Sequence, residues 1–155
     1  MKSILILPDI RSAQNVGSLF RTADACGIDQ IYLVGITPAP VDKFDRPNSA
    51  IAKTALGAEQ TIPWNYVIGI TPLITKLKKR GVQIIAIEQS DKAIDYKKVK
   101  IKKPVAFILG NEVDGLPKNV LEKVDIVAEI PMKGSKESLN VSVAGGIALF
   151  RMLNI

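Results

Sequence analysis

The chain has 155 residues, 47% of them apolar and 23% charged, enough to bury one hydrophobic core and too few for two ordinary domains. Lysine and arginine number 21 against 15 acidic residues, a formal net charge of +6, which suits a polyanionic partner such as nucleic acid. Histidine is absent and Cys26 is the one cysteine, which excludes Ser-His-Asp and Cys-His catalysis, a His- or Cys-built zinc site and an internal disulfide, the last in keeping with a reducing cytoplasm.

Strand-like and helix-like runs alternate along the chain, the pattern of an α/β fold with a largely parallel sheet flanked by helices. Residues 4–7, Ile-Leu-Ile-Leu, form a continuous apolar run, as in a strand covered on both faces. Pro8 and Asp9 end it well short of a signal peptide's apolar core. Residues 15–26 read as a helix: Val16, Leu19, Phe20 and Ala23 recur at the helical period, and Gly27 supplies the stop. A second strand covers 31–34. Residues 35–49 carry Pro38, Pro40 and Pro47 without periodicity, a long loop of the kind usually tied to function, and a short helix follows near 50–56. A helix with a basic end spans 72–80 and closes at Gly81; strands are expected at 82–87, 105–109 and 126–130. Residues 139–153 are apolar almost all round and contain Ala144-Gly145-Gly146, so this helix is expected to be buried, with its small residues at a dimer interface. No stretch approaches the length of a membrane span. The expectation is one soluble cytoplasmic domain filling residues 1–155.

Charge is uneven. Residues 76–103 hold ten basic and three acidic side chains, against eleven and twelve in the rest of the chain. Lys97, Lys98, Lys100, Lys102 and Lys103 dominate this segment, which reads either as a solvated face or as a rim for RNA phosphates.

Three motifs lie just past strand ends, where open α/β sheets bind ligands. The first follows residue 8 and contains Asn15, Gly17 and Arg21. Gly17 and Arg21 share a helical face away from the apolar stripe; Arg21 can also simply pair with Asp24, and Asn15 can simply cap the helix. The second is Leu109-Gly110-Asn111-Glu112, continuing to Asp114-Gly115. It is neither a dinucleotide fingerprint nor a phosphate loop, because GxGxxG and Gly-Lys-Ser/Thr are absent. The third runs Ile130-Pro131-Met132 and then Ser138-Leu139-Asn140-Val141-Ser142, with a helix starting near Ser138 or Asn140.

In this order the three motifs resemble the SpoU–TrmH family of RNA ribose 2′-O-methyltransferases, of the SPOUT superfamily, over nearly the whole chain. The resemblance implies a parallel-sheet fold with a deep C-terminal trefoil knot, a homodimer, and S-adenosylmethionine as cofactor with no metal. It implies that Gly110, Ile130 and Leu139 hold the cofactor, that Met132 borders the same pocket and that Glu88 faces the cofactor ribose. Arg21 takes the position of the family's catalytic arginine. Glu112 is implied as the carboxylate beside the cofactor, and Asn15, Ser138 and Asn140 as polar partners orienting the ribose and Arg21. Many relatives carry an extra N-terminal RNA-binding domain that is not evident here, so recognition is expected from the domain's own surface, the dimer or a partner. The expected substrate is tRNA before rRNA. Two other classes compete: a non-catalytic RNA-binding module assisting RNA folding or ribosome assembly, and a generic nucleotide enzyme, which the missing phosphate fingerprint disfavours.

Overall fold

The computed structural model describes residues 3–155. In chain order it contains β1 (Ser3–Pro8), α1 (Ala13–Ala25), β2 (Gln30–Val34), α2 (Ser49–Ala55), α3 (Ala58–Thr61), β3 (Trp64–Val67) and α4 (Ile70–Lys79). There follow β4 (Gln83–Ile87), β5 (Ile94–Asp95), a 3₁₀ turn at Tyr96–Lys98, β6 (Val105–Leu109), α5 (Lys118–Leu121), β7 (Ile126–Glu129) and α6 (Val141–Leu153).

The strands form one seven-stranded sheet in the order β3-β2-β1-β6-β4-β7-β5, and every described pairing is parallel. Alternate side chains of each strand therefore feed two cores, one on each face. On the first face Leu5, Leu7, Ile85, Ile87, Phe107 and Leu109 meet α1, α2 and α6. On the second, Ile4, Ile6, Ile84, Ala86 and Ile108 meet Leu73, Ile74 and Leu77 of α4 and Val120 of α5. This explains the unbroken apolar runs: all six residues of β1 are buried. From β4 the chain runs to the edge at β5, returns to the centre as β6, and goes out again to fit β7 between β4 and β5. That crossing order suits the knotted C-terminal part implied by the resemblance.

The structure refines several expectations. Ser12, not Asn15, caps α1, its hydroxyl accepting from the Asn15 amide at 3.1 Å. Gly17, expected on the polar side with Arg21, is buried where α1 crosses α2: a Cβ there would run into Thr54 Oγ1 and the Ile51 carbonyl. Asn140 caps α6, which begins at Val141 and buries only one face, comprising Val141, Gly145, Ala148, Leu149 and Met152. The opposite face leaves Val143 48%, Ile147 38% and Phe150 38% exposed, so this helix is not buried all round within the chain. Gly145 packs inward against Leu19 and Leu109, while Gly146 faces open space; only the latter is free for an outside contact. Among the described residues no helix is long and apolar enough to cross a membrane, and no group of three His, Cys, Asp or Glu is placed to hold a metal ion.

Candidate active site

Because all strands are parallel, their carboxyl ends share one edge of the sheet. At that edge, past β4, β6 and β7, one cavity is lined by Ile87, Glu88 and Gln89, by Leu109 to Glu112, by Ile130 and Met132, and by Ser138, Leu139, Val141 and Ala144. All five residues expected around a cofactor (Glu88, Gly110, Ile130, Met132 and Leu139) lie in this lining, with Glu112 and Ser138. The cavity has an apolar wall from the two central strands and α6, and a polar rim from the loops.

Gly110 is required by crowding rather than by backbone conformation. A Cβ there would lie 2.5 Å from Glu88 Oε2 and 3.0 Å from the backbone of Gly115 and Leu116. Gly115 has a positive φ of 65° and abuts the same carboxylate. Glu88 thus sits against both glycines, accepting from the amides of Gln89 at 2.9 Å and Leu116 at 3.0 Å. It ties the end of β4 to the 110–116 loop. Its carboxylate is engaged by these amides, so its contribution to the cavity is first to hold the loop. Asn111 shapes the same loop by accepting from the amides of Val113 and Asp114.

Glu112 reaches across to the N-terminus of α1. Its carboxylate accepts from the amides of Arg11 at 3.2 Å and Ser12 at 3.3 Å and from Asn15 Nδ2 at 3.1 Å. Asn15 Oδ1 in turn accepts from Asn140 Nδ2 at 3.3 Å, and Asn140 Oδ1 accepts from the Ser142 amide and hydroxyl. The chain Glu112–Asn15–Asn140–Ser142 therefore links all three motifs, with an exposed Arg11–Asp114 pair at 3.7 Å beside it. Partial desolvation raises the proton affinity of Glu112, but hydrogen bonds from its own amide, Asn15, Arg11 and Ser12 outweigh this and hold the carboxyl below its ordinary range. A carboxylate also suits the positive end of α1.

Arg21 lies outside the cavity lining, exposed on α1 about 9 Å along the axis from Asn15. It forms no ion pair among the described residues, so the pairing with Asp24 does not form. Gln89 is a lining residue that the sequence reading missed; its side-chain amide donates to the Ile130 carbonyl at 2.9 Å and joins two walls. Its position directly past a buried strand end was the available signal. The lysine-rich segment is split between the two ends of the sheet. Gln83, the first residue of β4, bonds the backbone of Lys100 and Lys102, which places them at the strands' amino ends, opposite the cavity. Lys97 and Lys98, in the 3₁₀ turn, directly follow β5, at the carboxyl end of its pairing with β7.

Comparison with known proteins bears on the family and the fold. The model of the SpoU rRNA Methylase family matches residues 2–150. The chain belongs to that family. It is 35% identical over 147 residues to a 23S rRNA (guanosine-2′-O-)-methyltransferase RlmB of Ralstonia nicotianae, covering 95% of this chain but only 56% of that protein. The chain thus spans little more than half the length of this relative. Among solved structures it resembles the AdoMet-bound rRNA methyltransferase of Sinorhizobium meliloti, with a TM-score of 0.85 and 30% identity over 99% of this chain and 56% of the other. It is equally similar to the TrmH/SpoU tRNA modifying enzyme of A. aeolicus, with a TM-score of 0.85 and 28% identity over 98% of this chain and 74% of the other.

Proposed function

We propose that this chain is an S-adenosylmethionine-dependent methyltransferase that modifies a ribose 2′-hydroxyl of RNA, and that its substrate is rRNA rather than the tRNA first expected. The observation that carries the reading is the cavity at the strand carboxyl ends, where the segment past β4 meets residues of the second and third motifs. The shift toward rRNA rests on the relatives named for rRNA modification. Residues 3–155 form one sheet with two cores, and we propose that they act as one methyltransferase domain in the cytoplasm.

The residues fit the cofactor. Ile87, Leu109, Ile130 and Leu139 offer an apolar surface for an adenine, Gly110 leaves no Cβ in its path, and Glu112 supplies negative charge for a sulfonium. When bound, S-adenosylmethionine supplies an electrophilic methyl group. The role of Arg21 is to hold the neighbouring phosphate through its planar fork and to stabilise developing negative charge on the ribose oxygen. Asn15 and Asn140 hold the first and third motifs in register, and Ser138 lies on the cavity rim toward the ribose. The apolar outer face of α6 fits a second copy of the chain, which makes the active form a homodimer.

The test is methyl transfer from labelled S-adenosylmethionine to ribosomal RNA and to tRNA, with the product nucleoside identified by mass spectrometry after nuclease digestion. The expected product is a 2′-O-methylated nucleoside in ribosomal RNA. Arg21→Ala is expected to cut turnover by orders of magnitude with cofactor affinity unchanged, and Arg21→Lys not to restore it. RNA binding without methyl transfer to either RNA would support the non-catalytic module instead.

A further inference from the structure

Past β2, the proline-bearing loop ends in a small hairpin with a defined closure. Val41 and Pro47 form an antiparallel bridge, and the Asp42 amide donates to the Arg46 carbonyl while the Asp45 amide donates back to the Asp42 carbonyl. Asp45 takes a positive φ of 60°, as the last residue of a three-residue hairpin loop does. The Asp42 carboxylate locks the turn from one side, accepting from the amides of Phe44 at 2.8 Å and Arg46 at 3.0 Å and from Arg46 Nε at 2.7 Å.

What this turn holds out is Phe44, 65% exposed. Lys43 Nζ and Arg46 Cζ stand 5.1 and 5.0 Å from its ring centroid, and Lys43 has no carboxylate partner among the described residues. An aromatic ring fixed in water by a braced backbone has no packing role inside the chain. The loop is anchored beside the first motif: Thr37 Oγ1 accepts from the Ile10 amide and donates to the Leu7 carbonyl, and the Asp9 carboxylate accepts from the Ile36 amide. The ring therefore belongs to the same carboxyl-end edge as the cavity. A ring already held out on a braced backbone needs little ordering when a base displaces a cation lying over it, and the displaced cation then reaches a phosphate of the stacked nucleotide.

We infer that the Lys43–Arg46 turn is an RNA-docking element in which Phe44 stacks on an unpaired base of the substrate, positioning the strand that enters the cavity. This rests on the reading of the chain as an RNA methyltransferase. It concerns a single-stranded segment, because only an unstacked base exposes its face to the ring.

The experiment measures RNA affinity by anisotropy with a labelled single-stranded RNA carrying 2-aminopurine, alongside turnover on ribosomal RNA and S-adenosylhomocysteine binding by calorimetry. Phe44→Ala is expected to weaken RNA binding about ten- to a hundredfold, to abolish quenching of 2-aminopurine, and to leave cofactor binding unchanged. Phe44→Trp keeps the affinity. The salt dependence of binding stays the same in Phe44→Ala, since no phosphate contact is lost. Asp42→Ala, which frees the turn but keeps the ring, weakens binding by a smaller factor. Wild-type affinity in Phe44→Ala overturns the inference and turns the exposed ring into a candidate protein contact. A wild-type protein that binds RNA with quenching yet transfers no methyl group overturns the enzymatic reading while the docking role stands.

Discussion

At Glu112 two backbone amides and the Asn15 side chain converge on one carboxylate, so its charge organises donors from a segment some hundred residues away. Glu112→Gln replaces one acceptor oxygen with a donor facing those amides. The expected loss at pH 7 is about 1 kcal/mol, discounted for exposure, measured by urea denaturation. Because the folded-state value is lowered, the contribution is complete above the ordinary value of 4.5 and is lost as the pH falls through the lowered one. The gap between wild type and variant should therefore narrow as the pH falls below 4.5 and close once it is under the lowered value. A gap that persists in acid would assign the loss to shape rather than charge. The sequence made Glu112 and Asn15 candidates but not their contact, since which of Ser12 and Asn15 caps α1 depends on where the helix begins. The choice of Ser12 leaves the Asn15 side chain free to bridge Glu112 and Asn140.

Between elements the glycines of α1 and α6 separate packing from openness. A Cβ at Gly17 meets a carbonyl of α2 that cannot rotate away, so Gly17→Ala should cost about 1–3 kcal/mol. A Cβ at Gly146 meets nothing within 4 Å in the chain, and Gly146→Ala should gain about 0.5–1 kcal/mol through helix propensity. Both are read from denaturation midpoints at low protein concentration, and equal effects would mean that the α1–α2 crossing is looser than it stands here. Periodicity found α1, α4 and the central strands because each has a wide buried stripe. It passed over the Gly17 crossing, since a glycine adds nothing to an apolar pattern. It also passed over β3, a four-residue edge strand with no fully buried residue, and β5, only two residues long. Of the cavity, the 109–112 loop was legible because it directly follows a buried strand, while the other expected lining residues were implied by the family resemblance; the Phe44 turn was not legible, as its bracing lies in backbone and carboxylate contacts that no period reports.

For the whole molecule, the proposed dimer rests on the exposed outer face of α6. Phe150→Glu puts a charge on an exposed position, so a folded monomer should result if a second copy covers that face, whereas wild type should sediment at about twice the chain mass. A wild-type monomer at low micromolar concentration would refute the dimer. The strand order bears on how the protein is made. The place beside β1 belongs to β6, so from the moment residues 3–8 leave the ribosome, one flank of the central strand has no partner until residues 105–109 emerge. At ordinary synthesis rates that interval is ~5–20 s. During it the nascent chain presents an unpaired apolar strand edge, and its first-face core still lacks α6, which emerges later than β6. A protein built this way cannot close its sheet until about a hundred residues after its first strand, and its newly made chains should be the ones that depend on chaperones while finished molecules do not.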